Sequence, residues 1–228
     1  MTPLLGTTGG GSGRGFGRGF KSAAAPAGPS IDSTAYSSGY YGDQSNSYTH
    51  TVNSNTNGIL IVCIGYTNAT LVTGVSYADT PMTLVNSIDR GDYVNAQIYA
   101  LSNPNVGSYS VVISGEPGGW SAHSIAFVGS SGYGATDSAY GANFTQPTMN
   151  FTTGYDNSYV VSCVSQADQD PGNVASGMTK IGPNQYYYSH TGGGAYRFVA
   201  TAGSSTNSWT SGGDTNGWSM LAVEIKNL

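Results

Sequence analysis

The stretch NTNGILIVCIGY (residues 55–66) decides the fold class. Ile59 through Ile64 are apolar at every position, so both faces of this segment must be covered. Six residues are too few for a buried helix. The preceding Asn-Thr-Asn-Gly is a turn signal and the run is rich in β-branched residues, so it reads as a central strand. Outward from it, strands are predicted near 46–53, 70–77, 81–87, 93–101, 107–114 and 121–129. After a looser stretch come 146–152, 157–166, 177–182, 185–190, 194–201, 206–210 and 217–226. Others alternate: in 217–226, Leu221, Val223 and Ile225 are expected to face the core, while Ser219 and Glu224 see less of it. Turn signals recur every 8 to 12 residues, as in a sandwich. The expected fold is all-β, a two-sheet antiparallel sandwich of jelly-roll type.

Composition agrees. Of 228 residues, 34 are Gly and only 8% are charged, against about 25% in an ordinary soluble chain. Helical surfaces are built from Glu, Lys and Arg, so a helical protein is excluded. The 38% of hydrophobic residues fills a core, which excludes a disordered chain.

The charge divides the chain. Arg14, Arg18 and Lys21 give residues 1–21 a charge of +3, so a total of −5 leaves −8 on residues 22–228. Such a body repels phosphate, and no nucleic-acid partner is expected. No 18-residue apolar run exists, so no membrane span is expected. The opening MTPLLGTTGGGSGRG has no charged start and no apolar stretch, which predicts the absence of a secretory signal.

Residues 1–30 carry nine Gly and three Pro and are expected to form an extended arm, with the β-sandwich domain spanning 31–228. Within the arm, GRGFGRGF (13–20) places Arg14, Phe16, Arg18 and Phe20 at a four-residue spacing, followed by Lys21. These five residues are the candidate assembly contacts: Phe inserts into pockets and Arg pairs with acids. The opposing reading is a solvated tail.

Titratable groups are sparse. His50, His123 and His190 lie in strand-like sequence and are expected to be hydrogen-bonded there. Asp89/Asp92 and Asp168/Asp170 sit in turn sequence, where Asp bonds local backbone, and the Asp168–Asn173 segment lacks the spacing of a calcium loop. Cys63 and Cys163 fall in apolar runs and are expected to be buried thiols. No catalytic residue, metal ligand or cofactor site is predicted. Aromatics in Gly/Ser-rich or Tyr-rich surroundings, namely Trp120, Tyr133, Tyr187 and Trp209, are the candidate glycan contacts, because exposed rings beside amides suit sugars. The alternative is that they pack the sandwich or an interface.

NTNGILIVCIGY (55–66) and GYDNSYVVSCVSQ (154–166) share a turn, an apolar strand and a Cys at a similar offset. The expected cause is two Greek keys placing comparable strands centrally in each sheet, not a true repeat.

The motif order HTVNSNTNGILIVCIGY, VTGVSYADTPMTLV, AQIYALSNPNVGSYSVVISG, HSIAFVGSSGY and GWSMLAVEIKNL resembles a β-sandwich module of bacteriophage structural proteins and bacterial surface proteins. The resemblance covers roughly residues 46–228; Leu101 through Gly107 and Trp218 through Ile225 match best, while Tyr77-Ala78-Asp79 stands where two glycines are commoner. The segment GGGSGRGFGRGF is similar to the N-terminal arms of phage tail-fibre and virion-appendage proteins. Together they imply a virion structural protein, not an enzyme: a head decoration, fibre or tail-appendage subunit docked by its arm to other virion proteins or to copies of itself, with trimers a common outcome. The alternative implied is a receptor-recognition adhesin that binds a host surface glycan.

Overall fold

The computed structural model describes residues 28–40, 46–67, 72–91, 94–141, 145–167, 170–187, 190–210 and 217–228. The arm residues Arg14, Phe16, Arg18, Phe20 and Lys21 lie outside the described residues. No described helix is long and apolar enough to cross a membrane.

The chain is all-β and antiparallel, as its sequence predicts, and it forms two sandwiches. The first half contains β1 (Ser30–Tyr40), β2 (Ser47–Val52), β3 (Ile59–Tyr66), β4 (Val72–Tyr77), β5 (Thr80–Pro81), β6 (Thr83–Ile88), β7 (Asn95–Ser102), β8 (Gly107–Gly115) and β9 (Gly119–Val128). Its sheets run β1-β9-β3-β7-β6 and β2-β8-β4-β5. The second half contains β10 (Ser130–Gly141), β11 (Thr148–Thr152), β12 (Ser158–Ala167), β13 (Thr179–Lys180), β14 (Gln185–Tyr187), β15 (His190–Val199), β16 (Ser204–Ser208) and β17 (Trp218–Asn227). Its sheets run β10-β17-β12-β15-β13 and β11-β16, with β14 also on β15. The two orders superimpose. Strands β1, β2, β3, β7, β8 and β9 correspond to β10, β11, β12, β15, β16 and β17; the first half carries the strand order of a jelly roll, and the second keeps that order without strands equivalent to β4 and β5.

This corrects the reading of 55–66 and 154–166 as mere Greek-key echoes: they are the same strand of a duplicated topology. Register fixes the equivalences. Cys63 pairs with Ile98 and His123, and Cys163 with Gly194 and Leu221. The turns before β3 and β12 each hold an Asn at positive φ, Asn57 and Asn157. Gly39 faces Trp120 and Gly141 faces Trp218 in register, and in both pairs a Cβ on the glycine would enter the indole. Even the indole hydrogen bonds match: Trp120 Nε1 donates to Asn46 Oδ1 and Trp218 Nε1 to Thr145 Oγ1.

Three apolar layers result. Leu60, Val62, Ile64 and Val111 pack between the two sheets of the first half. Val160, Val164, Met220 and Phe151 do so in the second. Between the halves, Ile61, Cys63 and Phe127 meet Val161, Cys163 and Leu221. Strands β3, β9, β12 and β17 are therefore covered on both faces, which is why they read as continuous apolar runs.

Glu224 departs from its sequence reading. It lies on β17 facing the second half's own layer, fully buried, and its carboxylate accepts from the backbone N–H groups of Tyr155 at 2.9 Å, Gly154 at 3.1 Å and Ala135 at 3.3 Å. It pins the β11–β12 turn and β10 to the central strand. Glu224→Ala leaves three inward-facing donors unsatisfied, so we expect it to cost about 3 kcal/mol or more, with Glu224→Gln intermediate. Urea unfolding of the three proteins checks this; an unchanged midpoint would show that the carboxylate is dispensable.

Candidate functional site at the loop-bearing end

The two halves point the same way. At one end, Gly129 N–H donates to Thr56 O, Ser130 N–H to Asn57 O, and Gly28 sits against Asn157. At the other end, Ser121 Oγ lies 3.0 Å from His190 Nε2, and Arg90 Nη1 donates to Gly141 O at 3.1 Å. The molecule therefore has a base, where residue 28 enters the body and the halves are joined, and an opposite end. The connections β1–β2, β3–β4, β6–β7, β8–β9, β10–β11, β12–β13, β14–β15 and β16–β17 all leave from that opposite end.

The candidate glycan contacts are not brought together on a surface. Trp120 and Trp209 are 1% and 0% exposed, so neither offers a ring face; their Gly-rich surroundings make room for the indole. Tyr133 is 37% exposed but lies on β10 near the base. Tyr187 falls in β14, paired with His190 at the loop-bearing end. A recess of about 310 Å³ at the base, lined by Asn57, Asn103, Ser130, Ser131 and Leu228 among others, carries no titratable side chain.

The titratable groups are held as the sequence suggests. Asp89 accepts from Gly91 N–H and Asp170 from Gly172 N–H, both local turn contacts, and Asp170 also accepts from the distant Asn184 Nδ2; Asp92 and Asp168 lie outside the described residues. No group of three or more His, Cys, Asp or Glu among the described residues is placed to hold a metal ion. His50 sits between Ser33 Oγ and Ser124 Oγ at 3.0 and 2.8 Å, and burial lowers its pKa to about 4. His123 Nε2 donates to Pro183 O at 3.1 Å, and burial lowers it to about 4; His190 is lowered to about 3 by burial and then by His123. Among the described residues no carboxylate is hydrogen-bonded to any of the three imidazoles. Cys63 and Cys163 are free and buried. The Cys163 side chain hydrogen-bonded to it, and then burial, raise the Cys63 thiol well above its ordinary value.

The site that sequence reasoning missed emerges from comparing the halves. In the first, Tyr99 OH donates to Gln97 Oε1 at 2.7 Å, and Gln97 Nε2 donates to Tyr66 OH and Val72 O, so the layer closes on itself. In the second, Gly193 and Ala195 stand where the first half has Gln97 and Tyr99, and strands equivalent to β4 and β5 are replaced by residues 170–178, which meet the end of β16 through the Val174–Trp209 bridge and hydrogen bonds from Ala175 N–H to Ser208 O and from Thr210 N–H to Asn173 O. Two core valines change character: Val62 corresponds to Ser162 and Val111 to Asn207. Ser162 Oγ, Thr191 Oγ1, both side-chain polar atoms of Asn207, Trp209 Nε1 and Asn184 Oδ1 are buried without a hydrogen-bond partner among the described residues. Trp209 and Asn184 converge over Gly193, where an added Cβ would meet them at 2.6 and 2.9 Å. Asn184 also donates to Asp170 and Gly172 at the rim. Tyr186, 60% exposed, lies directly across from Thr191 on the same face.

Comparison with known proteins finds no matching family model, no similar curated protein and no similar solved structure.

Proposed function

We propose that the chain is a structural protein of a virion, a decoration, fibre or tail-appendage subunit, docked by its N-terminal arm to other virion proteins or to copies of itself. One observation carries the reading: residue 28 enters the body at the base, beside Asn157, while the strand ends from which eight connections of both halves leave lie at the opposite end. A subunit held at one end and presenting loops at the other has this polarity. Supporting it, the outer sheet faces are uncharged ladders. Thr49 stands opposite Ser110 and Thr51 opposite Ser108; on the far side Asn150 stands opposite Thr206 and Thr152 opposite Ser204. Neighbouring copies pack against such faces without charge repulsion. The arm's +3 against the body's −8 favours a neighbouring copy as partner.

The test removes residues 1–27, stopping there because Pro29 is buried and β1 begins at Ser30. The truncated chain is expected to fold with unchanged circular dichroism and melting temperature, yet to be missing from purified particles by mass spectrometry. Phe16→Ser with Phe20→Ser should do most of the same damage, since two buried Phe rings contribute roughly 3–6 kcal/mol. Normal incorporation of the truncated chain would end this reading.

A further inference from the structure

We propose that the loop-bearing mouth of the second half is a binding site for a neutral saccharide unit, formed by Tyr186, Asn184, Thr191, Asn207 and Trp209. The inference goes beyond arm-mediated docking and uses the first half as an internal control. Both halves have the same strand order, so the first shows what this layer looks like when its only task is to hold two sheets together: valines at 62 and 111 and a closed Tyr66–Gln97–Tyr99 network. The second half departs at these positions, always toward small or polar residues, and the departures cluster where two covering strands are lost.

The chemistry of the cluster selects the ligand. Asn207 and Trp209 are 0% exposed and Thr191 1%, and their side-chain polar atoms have no partner among the described residues, which is costly in a structural core. The set holds donors and acceptors together: an indole N–H, an amide N–H₂, two amide oxygens and a hydroxyl. An apolar ligand would leave them all unsatisfied. A phosphate or sulfate finds no cation among them, and meets Asp170 at the rim. Vicinal hydroxyls both donate and accept, and the C–H face of a pyranose stacks on an exposed ring such as Tyr186. Residues 170–178, held along the end of β16 by the Val174–Trp209 bridge and by hydrogen bonds from Ala175 N–H to Ser208 O and from Thr210 N–H to Asn173 O, cover the inner part of the layer, so a sugar seats first on Tyr186, Asn184 and Thr191 and reaches Asn207 and Trp209 behind them.

The full chain, fluorescently labelled, is applied to an array of neutral and acidic glycans, and the best neutral glycan is then titrated by calorimetry. We expect retention of at least one neutral glycan. Tyr186→Ala and Thr191→Val should each weaken binding about tenfold or more with the melting temperature nearly unchanged. Tyr140→Ala, at an equally exposed tyrosine of the same end that lies under Arg90, should leave affinity intact. Asn207→Val, which installs the first half's residue, should weaken binding while raising the melting temperature. The proposal is overturned if no glycan is retained, if only acidic glycans are, or if binding survives both Tyr186→Ala and Thr191→Val. Failure here leaves arm docking untouched, because incorporation of Tyr186→Ala into particles is read separately, and the chain lacking residues 1–27 should still bind the glycan.

Discussion

Lowering the pH from 7 to 5 is expected to destabilise the folded chain by about 6 kcal/mol, roughly 2 kcal/mol from each of three histidines. His50, His123 and His190 are 1%, 1% and 0% exposed, and burial holds them near 4, 4 and 3 against an ordinary value of 6.5. A depressed histidine means that the unfolded chain binds the proton first. Their stabilising contribution is therefore fully present above pH 6.5 and falls as pH drops toward 4 and then 3. The neighbours leave no room for charge. His50 is enclosed by Ser33 and Ser124, with Asp32 opposing the shift only weakly, and His123 and His190 repel one another if both ionise. Since domains are stable by only about 5–15 kcal/mol, the chain should unfold cooperatively in mild acid. Urea titrations at pH 7, 6 and 5 measure this, and calorimetry at pH 5 should record uptake of about three protons on unfolding. Stability that stays level across this range would mean the three imidazoles are solvated.

How legible was this architecture? The strands covered on both faces, β3, β9, β12 and β17, were readable because burial on both sides forbids polar alternation. The missed strands are β1, SIDSTAYSSGY, and β10, SSGYGATDSAYG, which occupy the same edge of the two jelly rolls. Each lies beside a Trp-led strand and must present glycine beneath the indole, Gly39 under Trp120 and Gly141 under Trp218. Small residues there serve close packing, and in sequence they look like a loop. The same confusion exposed Trp120 and Trp209 on paper: Gly and Ser neighbours mark space for a ring as readily as a solvated turn. Glu224 was misplaced because a carboxylate in an alternating strand ordinarily faces water; nothing local announces that Gly154 and Tyr155 bring their N–H groups to it. The duplication was hardest to see, since its signal is strand order. The Asn57/Asn157 turns, the Cys63/Cys163 positions and the Gly39–Trp120 and Gly141–Trp218 pairs survive as sequence likeness, and the polar mouth becomes visible only when Val111 and Asn207 are known to be equivalent.

The two-sandwich arrangement depends on close contact between β15 and β9 at the junction of the halves. Sheets normally stack about 10 Å apart, but along β15, between His190 and Tyr196, the residues facing the first half are Gly192 and Gly194, so that sheet presents backbone there. A Cβ on Gly194 would lie 2.5 Å from His123 Cβ, 2.9 Å from His123 Cγ and 3.1 Å from Ile181 Cδ1. His123 Cβ belongs to β9, which is hydrogen-bonded on both edges by β1 and β3, so it has no rotamer by which to retreat. Gly194→Val must therefore move one sheet off the other, lifting Cys63 and Cys163 out of contact and loosening the packing of Ile61, Phe127, Val161 and Leu221 between the halves. Overpacking of this kind costs about 3 kcal/mol or more, about 6–12 °C in melting temperature for a domain of this size. Because each half keeps its own inter-sheet layer, the variant should also lose cooperativity. Scanning calorimetry should show one transition in the parent chain and a broadened or divided one in Gly194→Val. The control is Gly74→Ala, where an added Cβ meets nothing within 4 Å and stability should hold. If Gly194→Val melts as one sharp transition at the parent temperature, the halves are not joined through this glycine-lined contact.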